Sequence, residues 1–184
     1  MQPWCDSDAI DQEVLSVVHK LIPTTDLSDT HEFLYEQGKL HVLHGPWIAC
    51  GLNKSFAGQI QTLSVFEDNT LVRSTLSEPG LGRVLLVDGG ASLRVALLGG
   101  NLGVLAQKQG WSGVLVYGAV RDSAELDQCA VGIRALGRSP RRSFRQGKGA
   151  LGVPVAIQGV VVHPGHWLYA DEDGVLVSHD NLLL

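Results

Sequence analysis

Two short stretches of this sequence carry residue types that could do chemistry together: the pair Arg121-Asp122 and the run Gly99-Gly100-Asn101-Leu102. An arginine offers a planar fork of donors that matches a carboxylate or a developing enolate oxygen. An aspartate offers hard oxygen ligands of the kind Mg2+ or Mn2+ accepts. Consecutive glycines ahead of a helix let a ligand come close to the backbone, and the first N–H groups of the helix suit an anion. Together these groups describe a site for a 2-oxo acid, which can chelate a cation through its carboxylate and keto oxygens. On spacing alone the same residues also read as a turn before a helix and as a surface ion pair or cap after a strand.

The elements around them decide whether the two stretches can meet. Arg83 to Asp88 is a short apolar run closed by Gly89-Gly90, the pattern of a buried strand. Ser92 to Leu98 leads into the glycines, and residues 101–109 read as a helix ended by Gly110. Residues 113–118 form a second buried strand. Strand, helix and strand in this order predict a parallel crossover, right-handed in nearly all such units. The helix then runs back from the carboxyl edge of the 83–88 strand, and the 113–118 strand returns to that edge. Arg121 and Asp122 should therefore lie beside Gly99, Gly100 and Asn101, where open α/β sheets bind ligands.

Elsewhere, apolar spacing predicts an amphipathic helix over 8–22, stopped by Pro23, and capping residues at 24–29 precede a short helix near 29–37. Residues 38–53 read as irregular with one short strand. A strand at 57–65 and a helix near 69–77 follow, the latter ended by Pro79 and Gly80. Ser123 to Gln128 reads as one or two helical turns, and 131–136 as a strand. Residues 138–149 form a basic loop, and strands are expected at 153–157, 159–163 and 174–178. The sum is an α/β chain with a large antiparallel share, in one domain over 1–184, with an N-terminal helical segment about 8–37.

Composition narrows the function classes. The net charge of −5 argues against general nucleic-acid binding. Five positive charges between Arg138 and Lys148 run against that balance. They read as a solvated loop, as the lining of a site for dianionic substrates, or as a contact for RNA or an acidic protein. Cys5, Cys50 and Cys129 are odd in number and match no zinc spacing, which predicts a reduced, cytoplasmic setting. Cys129 has no base nearby in sequence to make it a nucleophile. The acidic start lacks the pattern of a signal peptide, and no apolar run is long enough for a membrane span. His163 and His166 flank Pro164-Gly165, which predicts a turn before a strand, and Asp171 and Asp173 are read as shaping the turn at Gly174. Trp4, Trp47 and Trp167 are assigned to core packing, with an interface as the alternative.

Several separated motifs then point one way. Arg83-Val84-Leu85-Leu86-Val87-Asp88-Gly89-Gly90, Gly99-Gly100-Asn101-Leu102, Gly110-Trp111-Ser112-Gly113 and Tyr117-Gly118-Ala119-Val120-Arg121-Asp122 resemble, in this order, the RraA-like family. Thr25-Asp26-Leu27-Ser28-Asp29 and the run from Pro164 to Gly174 fit as well, so the resemblance spans roughly residues 24–180. The family's aldolases share a glycine, twenty residues, Arg-Asp, two residues and an acid. Gly100, Arg121-Asp122 and Glu125 satisfy that pattern. Two positions depart from the family: many aldolases carry an acid where Gly100 stands, and Asp is usual where His166 stands.

The resemblance implies a β/β/α sandwich of the swivelling, phosphohistidine-domain-like type, built into homotrimers or into hexamers of two trimers with the site at a subunit boundary. It implies a class II aldolase that uses a divalent metal, Mg2+ or Mn2+, to cleave 4-hydroxy-4-methyl-2-oxoglutarate to pyruvate, with oxaloacetate decarboxylation as a side activity. Arg121 and Asp122 are then catalytic, Asp122 holds the metal, and Gly99, Gly100, Asn101, Leu102 and Arg121 bind substrate. Glu125 is a supporting acid. The family also includes regulators of ribonuclease E, which lack the Asp after the Arg. A non-catalytic regulator that binds and inhibits a ribonuclease or RNA helicase is the alternative it implies.

Overall fold

The computed structural model describes residues 22–183. The helix expected over 8–22 lies outside them, except for Ile22, which precedes the first helix. In chain order the elements are α1 (Thr24–Thr30), α2 (Phe33–Glu36), β1 (Leu40–Val42), β2 (Ile48–Cys50), β3 (Phe56–Ser64), α3 (Thr70–Ser77), β4 (Val84–Asp88), β5 (Ala96–Leu98), α4 (Gly100–Lys108), β6 (Gly113–Val120), α5 (Ser123–Leu126), β7 (Gly132–Arg138), β8 (Ala150–Leu151), β9 (Val155–Ile157), β10 (Val160–Val162), β11 (Trp167–Ala170) and β12 (Val175–Ser178).

Ten strands share one sheet, ordered β1-β12-β11-β3-β4-β6-β7-β2, with β5 beside β6 and β8 beside β3. Its centre is parallel: β4 lies between β3 and β6, and β7 follows β6. Antiparallel strands close both ends, and β9 pairs with β10 in a separate hairpin. The expected crossover is present, with Val84 opposite Gly113 and Asp88 opposite Tyr117. The α/β architecture thus agrees with the expected class.

Side chains of β4 alternate between two cores, as the period of a strand requires. Leu85 and Val87 face the layer of α3, α4 and α5, packing with Val72, Leu102 and Leu126. Val84 and Leu86 face the β9–β10 hairpin, packing with Val155, Ile157 and Val162. Burial on both faces is why β4 reads as an unbroken apolar run rather than an alternating one. A third cluster, around Leu27, Leu40, Tyr169 and Leu176, seats α1 and α2. Trp47 packs against the second cluster and Trp167 against the third, in line with the core assignment; Trp4 lies outside the described residues.

Two local expectations are corrected. The stretch 24–29, expected to cap a later helix, is itself α1. Its start is held by a distant carboxylate: Asp171 accepts hydrogen bonds from Thr24 N (2.6 Å) and Thr24 Oγ1 (2.7 Å). Such a cap satisfies an orphan N–H from 147 residues away, beyond the reach of local capping rules. Burial raises the Asp171 carboxyl, but these bonds and those from Asp173 and Gly174 outweigh it and hold it below the usual range. The same bonds bear out the turn reading of Asp171. Second, residues 38–53 carry two strands, β1 and β2, each too short to show a period. The strand expected after the turn at 163–166 is β11, which lies between β12 and β3. Among the described residues no helix is long and apolar enough to cross a membrane.

Gly113 and Gly132 are opposite one another on β6 and β7, and the Phe56 ring lies across both. A methyl group at either position would overlap the ring. Gly132→Ala is expected to lower unfolding free energy by about 1–3 kcal/mol, the usual cost of overpacking. Chemical denaturation reads this directly, and an unmoved midpoint would show that Phe56 has room to shift.

Candidate functional site

The site is built where β5 takes up the track of β4. After Asp88 the chain leaves the sheet, and Gly89 N and Ala91 N both donate to Tyr117 O (3.1 Å each). It returns as β5, whose Ala96 and Leu98 lie opposite Ala119 and Val120 on the far half of β6. Arg121 N then donates to Leu98 O (2.9 Å). The carboxyl ends of β5 and β6 are thereby adjacent, and α4 starts from the first while Asp122 follows the second. The sequence argument placed α4 at the end of the 83–88 strand. The structure moves it to the end of β5, and the expected meeting of Gly99 with Arg121 and Asp122 still follows.

Asp122 adopts the left-handed conformation (φ 56°, ψ 45°) and is the N-cap of α5. Aspartate is among the few residues besides glycine that tolerate this region. The turn brings its Oδ2 to 3.3 Å from Gly100 N and 3.3 Å from Arg121 Nε. Both side chains are 38% exposed, so the ion pair is reachable by a ligand. At Gly99 a β-carbon would stand 2.7 Å from Asp122 Oδ2 and 3.2 Å from Arg121 Cγ, so a side chain there would push into the pair.

Gly99, Asn101, Leu102, Arg121 and Asp122 line one small cleft of about 70 Å3, together with Asn69, Arg73, Ala96, Leu98, Arg142, Ser143 and Arg145. The N–H groups of Gly99–Leu102 are not equivalent. Leu102 N donates to Gly99 O (2.9 Å) and Gly100 N faces Asp122. Those of Gly99 and Asn101 have no partner among the described residues and are free to meet an anion.

Gly100 and Glu125 do not line the cleft. Glu125 packs its carboxylate on Gly100, where any β-carbon would overlap it. In this chain a carboxylate from α5 occupies the space that a side chain at position 100 would need. A negative charge beside the first turn of α4 also complements the helix dipole.

Among the described residues Asp122 is the only carboxylate lining the cleft, and no group of three or more His, Cys, Asp and Glu among them could hold a metal. Asp122 Oδ1 accepts no hydrogen bond from them. One free carboxylate oxygen fits Mg2+ or Mn2+, ions that keep water and substrate as most of their ligands. It does not fit zinc, which takes three or four protein ligands.

The remaining sequence candidates fall outside this site. His163 and His166 flank a turn into β11, as expected; His166 N donates to His163 O (3.2 Å). The His166 ring stacks on His179 at 4.4 Å between centroids. Burial and the neighbouring imidazoles of His179, His163 and His41 bring its pKa down to about 4, so it is neutral at pH 7. Cys129 is buried, its thiol pushed up by burial and by Glu125, and it donates to Glu125 O (3.4 Å). That is the opposite of an activated nucleophile. The sequence reading missed Asn69, Arg73 and Ser143 as site residues. Asn69 and Arg73 lie just before and within α3, and no local signal marks them.

The family model described as RraA-like: Aldolase/RraA matches residues 24–177. A Cupriavidus taiwanensis protein with the provisional name 4-hydroxy-4-methyl-2-oxoglutarate aldolase is 54% identical over 159 residues, covering 86% of this chain and 96% of that protein. A Burkholderia multivorans protein with the same provisional name is 55% identical, covering 86% and 97%. Among solved structures, one described as the RNA-processing inhibitor RraA from Thermus thermophilis is similar at TM-score 0.81 and 48% identity, covering 86% of this chain and 93% of that one.

Proposed function

Because this chain belongs to the RraA-like family, we propose that it is an aldolase that cleaves 4-hydroxy-4-methyl-2-oxoglutarate to pyruvate, depends on a divalent cation, and decarboxylates oxaloacetate as a side reaction. The observation that carries this reading is the Arg121–Asp122 pair held against the open N–H groups of the α4 start. The names of the two relatives support the choice of substrate.

The N–H groups of Gly99 and Asn101 and the positive end of α4 bind the C1 carboxylate of the substrate. Arg121 faces the 2-oxo group and the carboxylate beside it. Loss of the C4 hydroxyl proton turns C4 into a carbonyl, and the electron pair of the C3–C4 bond passes to C3 as a pyruvate enolate. Arg121 stabilises the charge that develops on the enolate oxygen. Protonation at C3 completes one pyruvate, and the C4 half leaves as the second. A cation bound through Asp122 Oδ1 would add Lewis-acid polarisation of the 2-oxo group. No second carboxylate among the described residues lines the cleft. The acceptor of the C4 proton therefore comes from solvent or from across a subunit boundary, in keeping with a trimeric or two-trimer assembly of the swivelling β/β/α fold.

Pyruvate release from this substrate and from oxaloacetate, measured with Mg2+ and with EDTA, tests the reading. EDTA is expected to lower both rates by about a hundredfold or more, with recovery on adding Mg2+ or Mn2+. Equal rates with and without EDTA would refute the cation requirement. The Thermus structure favours a second reading, a ribonuclease or helicase regulator. Under it Asp122 has no role, and no pyruvate is formed under either condition.

A further inference from the structure

Four histidines meet at one end of the sheet, and none of them lines the cleft. They come from four segments: His41 from β1, His163 from the end of β10, His166 from the turn before β11, and His179 from the end of β12. The strand register dictates the meeting. Trp167 lies opposite Ser178 in the β11–β12 pair, so His166 and His179 are the next residues out on the two strands. Leu40 lies opposite Ser178 in the β1–β12 pair, which sets His41 diagonally from His179 on one face. Residues two apart on a strand share a face, so His41, His179 and His166 continue the rows of Leu43, Val177 and Leu168. Those three apolar side chains belong to the second core cluster, and the imidazoles close its end. Ring centroids stand 4.4 Å apart for His166 and His179, 5.3 Å for His163 and His166, and 6.2 Å for His41 and His179.

Rings this close pack well while neutral and repel one another once charged. Burial opposes protonation of His166 most, followed by the imidazoles of His179, His163 and His41, and the Asp180 carboxylate favours it. Lys39 adds a cation at this edge, where its carbonyl accepts from His179 N (2.9 Å). Among the described residues no carboxylate forms an ion pair with any of the four rings. A histidine whose pKa is depressed on folding stabilises fully above about pH 6.5. That contribution is lost as the pH falls towards 4, because the unfolded chain takes up a proton that the folded one refuses. The element beside these rings is a weak one. β1 has three residues and pairs with β12 alone, at the edge of the sheet. Short edge elements open at the low end of a protein's range of local stabilities.

We propose that His41, His163, His166 and His179 form an acid-sensitive latch, which holds β1 on the sheet while the rings are neutral and releases it when they are protonated. Release parts β1 from β12 and uncovers Leu40 and Leu176 of the third core cluster. It also loosens α1 and α2, which that cluster seats. Four strands lie between β1 and β6, so the parallel centre and the cleft stay in place. The latch is therefore independent of the chemistry assigned to Arg121 and Asp122.

Amide hydrogen exchange of the full chain at about pH 7.5 and about pH 5 tests the latch, with EDTA present so that no metal bridges the rings. Protection of Leu40–Val42, corrected for the intrinsic rate at each pH, is expected to fall about tenfold or more at the lower pH. That is the scale set by one histidine whose pKa moves from 6.5 to about 4 on folding. Strands β4 and β6 should keep their protection. His166→Asp supplies the second test, since a carboxylate among the remaining rings favours their protonation. Its Tm should rise relative to that of the native chain as the pH falls from about 7.5 to about 5, and His166→Gln should show a smaller rise. Comparison at each pH cancels the losses that native carboxylates such as Asp68 and Asp171 bring to every variant. Equal protection of β1 at both pH values overturns the latch, as does a loss shared evenly by β4 and β6. So does an Asp variant whose Tm follows the native pH dependence. In the native chain itself, an NMR titration that finds the His166 ring charging near the ordinary 6.5 would overturn it too.

Discussion

Asp122→Asn is expected to lower kcat/KM for pyruvate formation about a thousandfold, the upper scale for removing one group that stabilises developing charge, while the fold stays intact. Asparagine is chosen because Asp122 sits in the left-handed region, φ 56° and ψ 45°. Asn tolerates that conformation as Asp does, whereas Ala would add backbone strain of about 1 kcal/mol or more and mix the two effects. The amide oxygen can still accept from Gly100 N, which lies 3.3 Å from the carboxylate. The lost ion pair with Arg121 is half-exposed and worth at most about 1 kcal/mol. What disappears is the negative charge that the reading assigns to cation binding. Kinetics with saturating Mg2+, beside a denaturation curve on the same preparation, separates chemistry from folding. A variant that keeps a third of its activity would remove Asp122 from the mechanism.

Arg134→Met is expected to cost about 2–5 kcal/mol of stability, the cost of leaving two buried backbone carbonyls without their donor. Arg134 is 2% exposed on β7 and has no carboxylate in ion-pair range among the described residues. Its charge is distributed over backbone acceptors instead. Nη2 donates to Lys54 O (2.6 Å) and Asp171 O (2.7 Å), and Nη1 to Ile133 O (3.1 Å). The guanidinium also stands 5.5 Å from the centre of the Phe56 ring. Burial draws its pKa below the usual arginine value, an effect Asp171 partly offsets. Methionine fills much of the volume but leaves the carbonyls of Lys54 and Asp171 without a donor, at about 1–3 kcal/mol each. Because the Asp171 carboxylate also caps α1, the loss should spread to that helix. Urea unfolding gives the magnitude, and amide exchange of α1 gives the spread. A loss under about 1 kcal/mol would mean that water takes over the donors.

Much of the site was legible in the sequence because its parts obey short-range rules. Val84–Val87 is an uninterrupted apolar run, so a strand buried on both faces follows from composition and length. Glycine boundaries marked both ends of α4. A parallel crossover between β4 and β6 follows from element order and handedness, and it was enough to bring Arg121 and Asp122 to Gly99. The motif spacing around Gly100, Arg121-Asp122 and Glu125 identified the family, because several short matches in one order are far more specific than any one of them.

Other features were decided by segments distant in sequence. β5 is three residues long, too short for a period, and exists because β6 extends to Val120 and offers it an edge. α1 starts at Thr24 because Asp171 reaches it from the far end of the chain. Glu125 proved to pack on Gly100 outside the cleft, a relation that spacing cannot express. The convergence of Arg73 with Arg142, Arg145 and the unpaired Ser143 hydroxyl depends on Asp68, which accepts from Thr70 N and Gln146 N and so clasps two segments almost eighty residues apart. By itself, then, the sequence determined the longer elements, the central crossover and the meeting of Arg121-Asp122 with Gly99, all of which rest on local periodicity, turn chemistry and chain handedness. The tertiary structure alone decided which N–H groups stay open and which cations line the cleft. Those depend on hydrogen bonds and packing between segments, and a side chain's partners across space leave no mark on its neighbours in the chain.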